Sequence, residues 1–229
     1  FLAKIGCDVV AHVPHRMKEG YGIAMSAIPR AKEAGASLFL TCDCGISAHD
    51  QVIAAREAGM RVVVTDHHEL HETLPEAEAV VNPHRPDSPY PFDTLSGVGV
   101  ALKLCAGLAQ ESGLPLPQFY RAYLDLASLG TVADVMPLID ENRTIVALGV
   151  KELGSSRKVG LQALMRLAIP DWQPGKPVTA RDIGFKIAPR LNSVGRIDDA
   201  ASGLKLLLES DLNAAQEIAR ELEQHNYER

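Results

Sequence analysis

The residues best suited to chemistry are Asp66-His67-His68, which follow the run Arg61-Val62-Val63-Val64-Thr65. Three valines in succession read as a buried strand. The chain then sets a carboxylate and two imidazoles at that strand's carboxyl end. In open α/β sheets this is the edge where ligands bind. Asp and His supply oxygen and nitrogen ligands to a divalent transition metal such as Mn²⁺ or Zn²⁺.

Two further carboxylates belong with them. Asp43 lies in Thr41-Cys42-Asp43-Cys44-Gly45-Ile46-Ser47, just after the predicted strand Ser37–Thr41. That places it on the same edge, one strand over. Gly45 allows a tight turn into the next helix, whose N-terminus directs free N–H groups toward the edge. Asp134 lies in Leu129-Gly130-Thr131-Val132-Ala133-Asp134-Val135, where a helix is expected to end at Gly130. A carboxylate among apolar residues needs a partner, and a metal is an effective one. The bland reading of either aspartate is a helix cap or turn former.

A second polar segment is Ala188-Pro189-Arg190-Leu191-Asn192-Ser193-Val194-Gly195-Arg196-Ile197-Asp198-Asp199. Arg190, Arg196 and Asn192 in one loop suit phosphate oxygens. The alternative is a helix-capping loop, since Asp198 and Asp199 favour a following N-terminus. Pro14-His15-Arg16 with Glu19-Gly20-Tyr21-Gly22 is a similar loop and equally open. His12, His49, His71 and His225 read as surface or packing residues. Cys42 and Cys44 alternate with Asp43 and are expected to pack in the core.

These groups need a scaffold, and the first half of the chain alternates strand and helix signals. Asp8–Val13, Ser37–Thr41, Arg61–Thr65 and Glu78–Val81 read as strands. Gly22–Ala34 and a Ser47-capped segment through Ala58 read as helices, closed by Gly35 and Gly59. Such alternation implies a parallel sheet flanked by helices, with right-handed crossovers. After a Pro-rich loop at His84–Phe92 the pattern turns helical: Val98–Gln110, Gln118–Leu129, Asn142–Leu153, Leu161–Leu167, Arg181–Ile187, Ala200–Glu209 and Leu212–Glu228.

The 229 residues are 46% hydrophobic and 23% charged, ordinary for a globular protein. No stretch approaches a membrane span, and the first residues do not form a signal peptide. The net charge of −6 does not announce a nucleic-acid partner through the overall field, so such binding would need a local basic groove. Four cysteines without C-x-x-C spacing form neither a zinc motif nor a disulfide scaffold; reduced thiols in a cytoplasmic protein are expected. Both ends look cut from something longer.

Taken in order, these segments resemble the DHH phosphoesterase superfamily and, within it, the RecJ single-strand DNA exonucleases. Asp66-His67-His68 matches the naming triplet. Thr41–Ser47 looks like the second motif, and Gly130–Leu138 with Asn142-Arg143 like the fourth. Ser96-Gly97-Val98-Gly99-Val100-Ala101, Arg190–Asp198, Pro14-His15-Arg16 and Glu19–Gly22 are similar to stretches typical of RecJ. The resemblance implies two Mn²⁺ ions, with Mg²⁺ as the alternative, bridged by Asp43. His67 and Asp134 complete one metal's ligands, Asp66 orients the site, and His68 faces the scissile phosphate. Arg196, Asn192, Arg190, His15 and Arg16 are the substrate-binding candidates. The implied activity is two-metal hydrolysis of single-stranded DNA from the 5′ end in repair and recombination. A repair helicase or single-strand-binding protein is the implied protein partner.

The family's first motif, an Asp-x-Asp strand, is absent from this chain, and that predicts weak or no activity in isolation. The expected layout is an α/β part of the DHH domain at 1–94, a helical part of the catalytic core at 95–210, and the start of a helix toward a substrate-binding domain at 211–229. Two alternatives compete. One is a related phosphodiesterase acting on oligonucleotides or cyclic dinucleotides. The other is an inactive DHH-fold binding module, against which the retained Asp43, Asp66, His67, His68 and Asp134 count.

Overall fold

The structure, a computed structural model, describes residues 1–15, 19–193 and 201–227. Its α/β part is built on three parallel strands in the order β1-β2-β3: Leu38–Leu40, Arg61–Thr65 and Ala79–Val81. The register pairs Phe39 with Val62 and Val64 with Val80. The central strand β2 is covered on both faces, which its unbroken valine run requires. Val62 and Val64 are fully buried with Val52, Ile28 and Ile46. Each such valine contributes about 1.5–3 kcal/mol by leaving water. Helix α1 (Ala27–Glu33) precedes β1, and α2 (His49–Glu57) connects β1 to β2.

The remainder is helical. Helices α3 (Gly97–Glu111), α4 (Leu116–Ala133) and α5 (Asp140–Gly154) pack in succession. Then come α6 (Val159–Ala168) and a continuous helical run of α7 (Ala180–Asp182), a π-helical turn (Ile183–Ile187) and α8 (Ala188–Ser193). Helices α9 (Ser202–Leu208) and α10 (Leu212–Tyr227) follow. Two cores hold this part. One lies under α3, α4 and α5 around Leu102, Phe119 and Ile145; the other lies around Leu161, Leu164, Ile183 and Leu222. Among the described residues no helix is long and apolar enough to cross a membrane.

The architecture matches the sequence expectation; several local expectations do not hold. Asp8–Val13 is not a strand: it is exposed, with no ladder partner among the described residues. Its β-branched side chains have no neighbouring strand to pack on, and β propensity depends on that. Helix α1 starts at Ala27 rather than Gly22, and the N-cap of α2 is Ala48, with no side-chain cap from Ser47. Gly130 does not end its helix; α4 runs on to Ala133. A Cβ on Gly130 would stand 2.6 Å from Val98 Cγ1, so this glycine serves the close approach of α3 to α4. Cys42 is exposed and Cys44 half-buried, because the chain leaves strand alternation at Asp43.

Candidate metal centre

The ladder between β1 and β2 carries the key residues past the ends of the strands. The Asp43 amide still donates to the Thr65 carbonyl at 3.0 Å, and the Asp66 amide donates to Val81 at 3.0 Å. Asp43 then adopts φ +64°, a left-handed conformation that Asp tolerates better than most residues. Gly45, at φ +112°, completes the turn into α2. The Thr41 hydroxyl fixes this turn: it donates to the Cys44 carbonyl at 2.7 Å and accepts the Thr65 amide at 3.1 Å.

Asp66 lies beneath the edge, its side chain 1% exposed. One carboxylate oxygen accepts the Ile46 amide at 3.0 Å; the other accepts the His67 amide at 2.8 Å and meets His68 Nδ1 at 2.6 Å. Burial alone would raise its pKa. The Ile46 N–H, the His68 ring and the His67 and His68 amides outweigh burial and hold the carboxyl below its usual range. Asp66 is therefore an ionised anchor that fixes the His68 ring by its Nδ1 side and leaves Nε2 for other work. Asn82 at the end of β3 donates to the His68 carbonyl at 2.9 Å and accepts the His84 amide at 2.9 Å.

His67 is the hub. Its Nε2 lies 3.0 Å from Asp43 Oδ1 and 3.5 Å from Asp134 Oδ2. The bond to Asp43 raises its pKa; partial burial opposes this, while the Asp43, Asp134 and Asp66 charges add to it. Asp134 caps the end of α4. Partial removal from water raises its carboxyl pKa, and the Asp43 charge adds to this against the pull of His67 and His68. Ligand atoms of Asp43, His67 and His68 all lie within 4.8 Å of one another.

This donor set fits a divalent cation. Cis ligands at octahedral metal–ligand distances of about 2.1 Å stand about 3 Å apart, close to the Asp43–His67 separation of 3.0 Å. Nitrogen with carboxylate oxygen suits Mn²⁺ or Zn²⁺, with Mg²⁺ favoured less by imidazole. A raised His67 pKa means that a metal must compete with a proton for Nε2.

Three supports were named in the sequence only as parts of family-like segments, with no role given to them. Gly97 opens α3, and a Cβ there would lie 2.2 Å from Asp43 Oδ1. The Ser96 and Thr131 hydroxyls meet at 2.9 Å, tying the start of α3 to the last turn of α4. Asn142, fully buried, donates to the carbonyls of Thr94 at 2.6 Å and Pro137 at 3.1 Å, so it joins the loops beside Gly97 and Asp134. Beyond that resemblance, the sequence signal was the polar character of Asn142 and the Ser-Gly start of an apolar helix.

Of the phosphate candidates, Arg190, Asn192 and His15 are among the described residues. Arg190 is engaged within the protein, with Nε 2.6 Å from Glu223 Oε2 and Nη1 bonded to the Lys186 carbonyl at 2.5 Å. Asn192 is exposed on α8. The His15 amide donates to Glu19 at 2.9 Å. Arg16 and Arg196 lie outside the described residues.

The description "DHH family, N-terminal domain" matches residues 1–131. The single-stranded-DNA-specific exonuclease RecJ of Bacillus subtilis (strain 168) is 43% identical over 228 residues, spanning all of this chain and 28% of that protein. A crystal structure of exonuclease RecJ bound to manganese superposes with a TM-score of 0.87 at 38% identity, covering 99% of this chain and 56% of the other. RecJ of Thermus thermophilus in complex with Mg²⁺ gives a TM-score of 0.63 at 35% identity over 89% of this chain and 29% of the other. The chain spans from 28% to 41% of the curated relatives that match it end to end.

Proposed function

The chain belongs to the DHH family, and from that premise we propose that it is part of a metal-dependent phosphodiesterase of the RecJ type. Its substrate is single-stranded DNA, degraded from the 5′ end in repair and recombination. The observation that carries this reading is His67 Nε2 held between Asp43 and Asp134, at 3.0 and 3.5 Å. The relatives' names and the manganese in the structural neighbour support it.

In this reading Asp43, His67 and Asp134 hold Mn²⁺, with Mg²⁺ as the alternative. A divalent ion held there would lower the pKa of a bound water toward neutrality and would offset charge on phosphate oxygens. Asp43 and Asp134 provide the negative charge that retains the ion. Asp66 keeps His68 oriented, and His68 Nε2 faces the scissile phosphate. Arg196, Asn192, Arg190, His15 and Arg16 are proposed to hold the strand, with Arg190 first released from Glu223. Residues 1–94 form the α/β part, 95–210 the helical part of the core, and 211–229 lead toward a substrate-binding domain. A cytoplasmic location and a helicase or single-strand-binding partner belong to the same proposal.

The test uses 5′-phosphorylated single-stranded DNA labelled at its 3′ end, in Mn²⁺, with this chain and with a protein of its relatives' full length. Stepwise shortening by the parent and not by His67→Ala supports the reading. No shortening of long strands, with turnover of dinucleotides or cyclic dinucleotides instead, moves the protein to the small-substrate branch.

A further inference from the structure

Phe185 is 78% exposed, although a phenylalanine is ordinarily buried. It lies in the π-helical turn Ile183–Ile187, between Ile183 and Ile187, which are both fully buried. These two isoleucines anchor the turn in the core formed with Leu161 and Leu222. The ring is therefore presented by a rigid element. π-turns inside helices are rare and concentrate at functional sites. The guanidinium of Arg181 lies over the ring, 5.9 Å from its centroid. Arg181 is itself exposed, and a capping box between Thr179 and Asp182 fixes the start of its helix.

This turn packs against the last turn of the helix that carries Asp134. A Cβ on Gly184 would lie 3.7 Å from Val132 Cγ1. Val132 is in the last turn of α4, which Asp134 caps. The same helical run continues directly into α8, which bears Arg190 and Asn192.

We propose that Phe185, flanked by Arg181, is a stacking platform for a nucleobase of the single strand that enters the Asp43–His67–Asp134 site. This rests on the reading of that site as a nuclease for single-stranded DNA. An exposed aromatic face accepts any base, which suits an enzyme that must pass every sequence. The adjacent guanidinium gives the cationic complement that a phosphate backbone needs and that the chain's net charge of −6 lacks. A purely apolar partner would gain nothing from Arg181. An aromatic ring beside a cation, on a turn packed against the helix that Asp134 caps, fits a polynucleotide.

The test measures anisotropy of a short fluorescein-labelled single strand in EDTA, so that no cleavage intervenes. It compares the parent with Phe185→Ala, Phe185→Leu, Phe185→Trp and Arg181→Gln. The expected result is about tenfold or greater weakening for Phe185→Ala and Phe185→Leu. Phe185→Trp retains the parent affinity, and all variants keep the parent melting temperature. Arg181→Gln lowers the slope of log affinity against log salt by about 0.7, one phosphate contact on a single strand. Parent-like binding by Phe185→Leu overturns stacking. A lowered melting temperature of Phe185→Ala and Phe185→Leu, with parent-like binding, shows that another part of the protein covers the ring and overturns the proposal. Absence of strand binding by the parent overturns the nuclease reading and this inference together, whereas tight parent binding that ignores Phe185 overturns only the platform.

Discussion

Gly97 and Asp43 are in contact across the gap between α3 and the β1–α2 turn: a Cβ on Gly97 would stand 2.2 Å from Asp43 Oδ1. The first residue of α3 is thus the wall behind a metal-ligand candidate, and hydrogen is the only side chain that fits.

Gly97→Ala should therefore disturb the site and, to a lesser degree, the fold. The added Cβ would also stand 2.5 Å from Asp43 Cβ, which rotation of the side chain cannot move, so the Asp43 turn must shift and the fold loses about 1–3 kcal/mol. The carboxylate leaves its place beside His67, and Mn²⁺ affinity falls about tenfold or more. Calorimetric Mn²⁺ titration alongside urea unfolding reads both effects. An unchanged Mn²⁺ affinity would refute the contact's role.

Asn142→Leu removes the donor that joins Thr94 to Pro137 and leaves both carbonyls without it. Two lost bonds at a fully buried position should cost about 2–3 kcal/mol. The Asp134 loop should loosen as well, seen as faster amide exchange at Asp134–Leu138. Unchanged exchange there would mean that Asn142 serves stability alone.

Val135 occupies a left-handed conformation, φ +58°, and is 86% exposed. Its amide and that of Met136 donate to Val132 and Thr131, the arrangement in which helices end on glycine. A β-branched residue is strained there. Val135→Gly should raise stability by about 1 kcal/mol, measured as a higher urea midpoint with an unchanged slope. A lower midpoint would contradict this.

Gly160 packs against α9, where a Cβ would lie 1.7 Å from the Leu206 carbonyl oxygen. The obstacle is backbone and cannot yield as a side chain does. Gly160→Ala should cost about 3 kcal/mol by forcing α6 and α9 apart. A loss within about 0.5 kcal/mol would show that the helices slide freely.

Asp182 gives a pH dependence. The Lys186 ammonium beside it and the Thr179 hydroxyl hold its carboxyl below the usual range. The folded pKa is thus lower than the unfolded value of about 3.9. Its contribution is complete above that value and is lost as pH falls through the folded pKa. Because Lys186 is open to water, the contribution is only about 0.5–1 kcal/mol. Asp182→Asn should lower the urea midpoint at pH 7 and bring it toward the parent's at pH 3; an equal loss at both would contradict the charge argument.

The α/β frame was legible because Arg61–Thr65 is a strand whose apolar run needs cover on both faces, and because glycines close α1 and α2. Asp43, Asp66 and His67 were legible for a related reason: each follows a strand signal, and parallel strands bring their carboxyl ends together. The approach of Asp134 to His67 was anticipated from residue type but with the wrong helix end, since Gly130 is a packing glycine against Val98 rather than a terminator. The roles of Gly97 and Asn142 were not legible, because they depend on contacts between residues 54 and 48 positions apart (Asp43 with Gly97, Thr94 with Asn142), which no local pattern encodes. Asp8–Val13 misled for the opposite reason: its propensity is local, while strand formation needs a neighbour.

His67, between Asp43 and Asp134, is proposed to hold a divalent metal. The most direct measurement is a Mn²⁺ titration near pH 7.5, followed by loss of the free-Mn²⁺ paramagnetic resonance signal, on the parent and on His67→Gln. Ligation by His67 predicts saturable binding by the parent and about tenfold or greater weakening in the variant, with its folded far-ultraviolet dichroism intact. Superimposable isotherms for the two proteins would contradict it.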